Sequence, residues 1–180
     1  TGISAKDVVN SLSETDLADV IYRYGDEKRS RKIAKYIVAA REKEVIGTTM
    51  ELAQIIKSAV GSGKKQKIDP STKTFQAIRI YVNQELLELE KALRQVDEIT
   101  CPDSKIIFVT FHSLEDKLVK DSFAKKSGAS KHTSKYLPPL QQSEDVTLKF
   151  GEKKFIAVSD SEISRNPRSR SAKIRYAIKS

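Results

Sequence analysis

The segment Phe111-His112-Ser113-Leu114-Glu115-Asp116 brings an imidazole, a hydroxyl and two carboxylates within reach of one another on a single short stretch of chain. Groups of this kind can aim the lone pair of a reacting group and receive its displaced proton, and accurate placement supplies most of the acceleration in such chemistry. A Ser-His nucleophile pair needs a spatial arrangement that neighbours on one turn rarely achieve, so the segment does not read as a hydrolase site. The same residues also have a purely structural meaning. Ser113-x-x-Asp116 has the spacing of a helix start, with Ser113 as N-cap, Asp116 as its N3 partner and Glu115 favoured in the first turn by the helix dipole. The two meanings are compatible, and for His112 a structural hydrogen bond and a contact with substrate stay equally open.

What positions these residues is the apolar run before them. Ile106-Ile107-Phe108-Val109 predicts a strand over residues 105–110, followed by a helix over 114–124. A strand opening into a polar turn and a helix presents its groups at the carboxyl edge of a sheet. Further along, residues 125–145 carry no apolar period and read as a mobile loop; residues 146–158 give short strand pieces around Gly151, residues 160–165 a helical turn, and residues 172–178 a last strand. Arg168, Arg170, Lys173 and Arg175 alternate with small or apolar residues there. Strand spacing puts Lys173 and Arg175 on one face, with phosphate contact as one reading and salt bridges to Asp160 and Glu162 as the other.

The first half reads as short helices. Ser4-x-x-Asp7 and Ser13-x-x-Asp16 are start signals, Gly25 is a stop, Asp26 is a fresh N-cap, and Thr48-Thr49 precede another amphipathic helix. Ile33, Ala34, Ile37 and Val38 recur at helical spacing, with Lys28, Arg31, Lys32 and Lys35 opposite them as either a solvated face or an RNA backbone contact. Gly61-Ser62-Gly63-Lys64-Lys65-Gln66-Lys67 is a basic turn, and a hinge fits near Pro70. From Phe75 one long helix is expected, because Phe75, Ile78, Val82, Leu86, Leu89 and Leu93 hold to one stripe. Gln76, Arg79 and Asn83 flank that stripe as a polar border or as ligand contacts.

The chain has 180 residues, 38% hydrophobic and 32% charged, with Lys plus Arg at 33 against 24 for Asp plus Glu. The net charge of +9 favours an anionic partner, without saying which. No apolar run approaches the roughly 18–20 residues that span a bilayer, and no signal-type segment opens the chain, so no membrane partner and a cytoplasmic location are expected. One cysteine, Cys101, and two histidines, His112 and His132, exclude an internal disulfide, a cysteine-built zinc site and a histidine-rich metal site. Cys101, beside Pro102 and without a base near it in sequence, reads as an inert loop residue.

Taken in order, residues 75–86, the His112 segment and the basic run Asn166-Pro167-Arg168-Ser169-Arg170-Ser171-Ala172-Lys173-Ile174-Arg175 resemble one family, the MraW or ribosomal RNA small-subunit methyltransferase H family. The resemblance is nearly continuous over residues 4–179. Family members begin with a Gly-rich cofactor loop, an acidic ribose-binding residue and an Asp-Leu-Gly-type motif. None of these occurs here, since Gly61-Ser62-Gly63 sits in a lysine-rich turn with no strand before it. The chain therefore looks like the C-terminal portion of such an enzyme, with no cofactor-binding residue of its own.

The resemblance implies an α/β fold: a helical insert subdomain for substrate recognition over residues 1–70, then the last strands and helices of a Rossmann-like S-adenosylmethionine-dependent methyltransferase domain over residues 71–180. It implies transfer of a methyl group from S-adenosylmethionine to N4 of a cytosine in 16S rRNA, with small-subunit rRNA or the small ribosomal subunit as partner. His112, Ser113, Glu115 and Asp116 would then lie near the target amine, and Phe111 could stack on a base. Arg79, Asn83, Arg168, Arg170, Lys173 and the Lys28, Arg31, Lys32, Lys35 stripe would contact RNA. By itself the chain is expected to be inactive and not to bind S-adenosylmethionine tightly. The alternative is a basic RNA-binding module without catalysis. An uncovered strand at residues 105–110, in which Ile106, Ile107, Phe108 and Val109 carry no charge, would in addition favour self-association through the sheet edge.

Overall fold

A computed structural model describes residues 2–61, 69–128, 146–150 and 155–180. The chain divides into two compact units, Thr1–Glu85 and Leu86–Ser180.

The first unit is all helical: α1 (Ala5–Ser11), α2 (Glu14–Gly25), α3 (Ser30–Arg41), α4 (Thr49–Val60) and α5 (Thr72–Asn83). Its helix starts follow the sequence signals closely. Ser4 and Asp7 form a reciprocal capping box, the Ser13 hydroxyl accepts the Asp16 amide, and Thr48 and Glu51 form a second box. Leu17, Ile21, Ile33, Ile37 and Ile56 are fully buried in one core, joined by Ile78 of α5.

Asp26 does not open α3. It sits in the left-handed region (φ 49°) and closes α2, while α3 begins after Arg29 with no side-chain cap. Gly25 is needed for packing rather than for a turn. A Cβ there would lie 2.5 Å from the Lys73 carbonyl oxygen, so α2 and α5 approach backbone to backbone.

The long helix expected from Phe75 onward is two helices. Gln84 adopts φ 52°, ending α5, and α6 (Glu85–Ile99) begins beyond it. Phe75, Ile78 and Val82 belong to the core of the first unit, Leu89 and Leu93 to that of the second. The units thus divide after Glu85 rather than near residue 70, because α5 packs on α1 and α2.

The second unit combines α6, β1 (Lys105–Thr110), α7 (Ser113–Lys126), β2 (Leu148–Phe150), β3 (Ile156–Ala157), α8 (Asp160–Arg165), a 3-10 helix (Pro167–Ser171) and β4 (Lys173–Lys179). This is an α/β arrangement with a small sheet. β4 runs antiparallel to β1, β2 and β3, in the order β1-β4-β2. Alternation along β1 sends Ile106, Phe108 and Thr110 inward, while Ile107 is 60% exposed and Val109 is exposed as well. Ile106, Val119, Phe123, Leu148 and Ala177 form the core, with the Phe108 and Phe123 rings edge to face at 5.9 Å. Asp97 of α6 receives Lys126 and, at 3.3 Å, Lys179, joining three elements at one end of the sheet. Among the described residues no strand pairs with the outer edge of β1. The expected loop over 125–145 lies outside the described residues beyond Gly128, as do Gly151 and residues 62–68 of the basic turn.

Gly25→Ala should destabilise the first unit by about 1–3 kcal/mol, since the new methyl meets backbone that cannot swing away. Urea denaturation followed by circular dichroism measures it, and an unchanged midpoint would contradict the close α2–α5 approach.

Candidate active site

The β1–α7 turn is built around Glu115. Its Oε2 accepts the Phe111 amide at 2.7 Å and the His112 amide at 3.2 Å, and its own amide donates to His112 Nδ1 at 3.4 Å. His112, with extended backbone (φ −144°, ψ 165°), is therefore the N-cap of α7, and Glu115 is its N3 partner. The structural role expected for Ser113 and Asp116 falls one residue earlier. Ser113 is exposed in the first turn and caps nothing.

Accepting at Nδ1 leaves the proton of a neutral His112 on Nε2. That atom lies 3.3 Å from Glu115 Oε1, yet it is buried without an aligned hydrogen-bond partner among the described residues. A donor held by its ring and left unsatisfied is suited to a hydrogen bond with a ligand. Burial opposes the Glu115 charge, but the contact with His112 and the Phe111 and His112 amides outweigh it and hold the carboxyl below its ordinary range. Phe111 stands 57% exposed at the mouth of this turn.

Since the cap is taken by His112, Asp116 turns toward β4. Arg175 meets it with a fork, Nε to Oδ1 at 2.6 Å and a terminal nitrogen to Oδ2 at 3.1 Å, and Lys173 Nζ reaches Oδ2 at 3.1 Å. Arg175 is only 9% exposed. The Phe155 ring covers both cations, at 5.3 Å from Lys173 Nζ and 5.6 Å from the Arg175 guanidinium carbon. Burial raises the Asp116 pKa, but Arg175 and Lys173 prevail and keep it below its usual value.

The sequence-derived residues are thus sorted. His112, Glu115 and Phe111 share the turn, and Asp116 and Lys173 share the ion cluster behind it. Arg168 and Arg170 lie exposed on the 3-10 helix, whose start Asn166 caps through the Arg168 amide, and neither has an ion pair among the described residues. The alternative of salt bridges to the acidic residues of α8 is not realised for them, since Glu162 faces Arg165 at 3.9 Å. Arg79 and Asn83 both turn to Glu85, Arg79 at 2.8 and 3.0 Å and Asn83 at 3.2 Å, which braces the Gln84 break within the first unit. Lys28, Arg31, Lys32 and Lys35 are exposed beside α3. Strand spacing places Arg175 beside Lys173 but does not reveal that their anion is Asp116, and nothing in the spacing singles out Phe155. The only signal is that two cations two residues apart on one strand face need an anion between them.

Comparison with known proteins decides the family. A model of the MraW methylase family matches residues 1–180. The chain belongs to that family. It is similar to the ribosomal RNA small subunit methyltransferase H of Rickettsia felis, 49% identical over 99% of this chain and 58% of the relative. It is similar also to those of Hyphomonas neptunium and Maricaulis maris, both 44% identical over 99% of this chain and 52% and 54% of the relatives. The chain thus spans little more than half the length of these MraW relatives.

The β1–α7 turn does not fit S-adenosylmethionine. The Glu115 amide is taken by His112 Nδ1 and the Asp116 amide by the His112 carbonyl, and no glycine lets backbone approach a cofactor there.

Asp116→Asn should cost about 2–4 kcal/mol, because it removes the charge from the forked contact with the buried Arg175 and from Lys173. Since the native Asp116 pKa is lowered, its contribution is complete above the unfolded value of about 3.9 and is lost as pH falls through the native value. Stability measured between neutral and acid pH should fall less steeply at the acid end in the variant. Parallel curves would mean that Asp116 is not held by these cations.

Proposed function

We propose that this chain is the part of a MraW-family enzyme that holds the target nucleotide while a methyl group passes from S-adenosylmethionine to N4 of a cytosine in small-subunit rRNA. The observation that carries this reading is the His112 Nε2 donor, fixed by Glu115 and left unsatisfied in a turn whose mouth is the exposed Phe111 ring. The names of the relatives, which refer to methyltransferases of small-subunit rRNA, support the substrate class.

S-adenosylmethionine supplies the methyl group when bound, and this turn does not form its cradle, so the chain's contribution is to the acceptor. Phe111 stacks on the base, with about 1–3 kcal/mol per stacked base. His112 Nε2–H donates to an acceptor on the ring edge of the cytosine and so orients its exocyclic amine. Glu115, charged at neutral pH and close to that edge, keeps the imidazole in place and is the oxygen acceptor nearest to the displaced proton. Asp116 acts through Arg175 and Lys173, anchoring the start of α7 to β4. Ser113 stands at the rim. Arg168 and Arg170, exposed and without ion pairs among the described residues, meet backbone phosphates. An aqueous cytoplasmic location accords with the absence of any helix, among the described residues, long and apolar enough to cross a membrane. Copies of the chain by themselves would associate through the β1 edge, which no strand covers among the described residues. Ile107→Lys, which charges the exposed face and spares the core, should then reduce light scattering at high concentration.

The test uses an intact relative carrying these residues. His112→Ala should lower methyl transfer to a 16S rRNA fragment by about a hundredfold in kcat, with RNA affinity nearly unchanged. Neutralising Arg168 and Arg170 should instead flatten the salt dependence of RNA binding by about one unit per phosphate released. Full methyl transfer in the His112 variant would reject the site, and would favour a basic RNA-binding module for this region.

A further inference from the structure

In the first unit, α3 is flanked by two clefts. One, of about 550 Å³, lies between α2 and α3 and is lined by Tyr22, Lys28, Arg31 and Lys32. The other, of about 520 Å³, lies between α3 and α4 and is lined by Tyr36, Lys35, Ala39 and Ile55. Tyr22 is 57% and Tyr36 41% exposed, in contrast to the buried aliphatic residues beneath them. The wall between the clefts is a pair one helical turn apart, with Lys32 Nζ 5.7 Å from the centre of the Tyr36 ring.

Cations outnumber acids on this surface. Among the described residues, Lys28, Arg31, Lys32 and Lys35 make no ion pair. The acids in the clefts are engaged elsewhere: Asp19 faces Arg23, and Glu51 accepts the Gly47 and Thr48 amides at the start of α4. Arg29, which also borders the first cleft, is tied to the Val60 carbonyl at 3.0 Å and helps hold α3 against α4. A solvated face needs cations but has no use for an aromatic ring at the edge of a cleft on either side of them. Evenly spaced phosphates with planar bases between them satisfy both features, and paired bases in a duplex cannot enter such clefts.

We propose that this face of α3 is a docking surface for single-stranded RNA, with phosphates on the Lys28, Arg31, Lys32, Lys35 ridge and unstacked bases against Tyr22 and Tyr36. The proposal rests on the reading above that the chain works on RNA, and adds that the strand it grips here is unpaired. Both rings remain on the surface, so their removal does not open the core.

Fluorescence anisotropy of the whole chain with a short labelled single-stranded RNA, and with the corresponding duplex, tests this across a range of salt. Tyr22→Ala and Tyr36→Ala should each weaken the single strand about tenfold and the duplex little, and Tyr36→Phe should bind as the parent does. Lys32→Gln with Lys35→Gln should lower the salt slope for the single strand by roughly 0.7 for each phosphate no longer neutralised. Tyrosine variants that bind like the parent, equal affinity for duplex, or equal affinity for polyglutamate would each overturn the proposal. The two readings fail separately. Loss of the tyrosine effects with His112-dependent methylation intact removes only the docking surface, whereas the reverse result removes only the catalytic assignment.

Discussion

The ion cluster of Asp116 with Arg175 and Lys173 is the constraint on which the candidate site depends. It connects the first turn of α7 to the central strand, and so fixes where the chain leaving β1 must turn. Because the cluster is largely buried and covered by Phe155, it is little screened, and its geometry is set by a two-pronged guanidinium contact rather than by a single flexible ammonium. With Asp116 facing the sheet, the cap of α7 passes to His112 and Glu115, and the imidazole acquires a fixed ring position with one nitrogen spent and one left over.

Much of this could be read from residue types alone. β1 and α8 occupy the expected residues, β4 lies within one residue of expectation, and the helix starts at Ser4, Ser13 and Thr48 follow their capping signals, because caps and strand alternation are local properties. The cap at α7 was not legible. Ser113 is the better N-cap by preference, and the choice of His112 is made by Arg175 and Lys173, nearly sixty residues distant in sequence. Tertiary electrostatics there outweighs a local preference of about 1 kcal/mol. The same holds for the site, whose turn residues and basic strand face were evident from sequence while the pairing of Arg175 with Asp116 and the Phe155 ring that covers it were not.

The break at Gln84 illustrates a second limit. On a helical wheel Phe75, Ile78, Val82, Leu89 and Leu93 form one stripe, and no glycine or proline interrupts them. The stripe is two half-stripes serving different cores, and the left-handed residue between them is a glutamine, a type that rarely accepts this conformation. Arg79 and Asn83 converge on Glu85 to hold the turn, so residues with the look of ligand contacts are part of the joint between helices.

The central place of β4 in the sheet has a consequence for the order of assembly during synthesis. Helices of the first unit find their partners among neighbouring segments and can pack while the ribosome is still extending the chain. Within this chain β1 depends on a distant partner, because the strand it pairs with begins at Lys173, the last of the elements described. Ile106 and Phe108 can meet Val119 and Phe123 of α7 earlier, but the ladder that fixes the register of β1 against Ala177 and Arg175 closes only when β4 arrives.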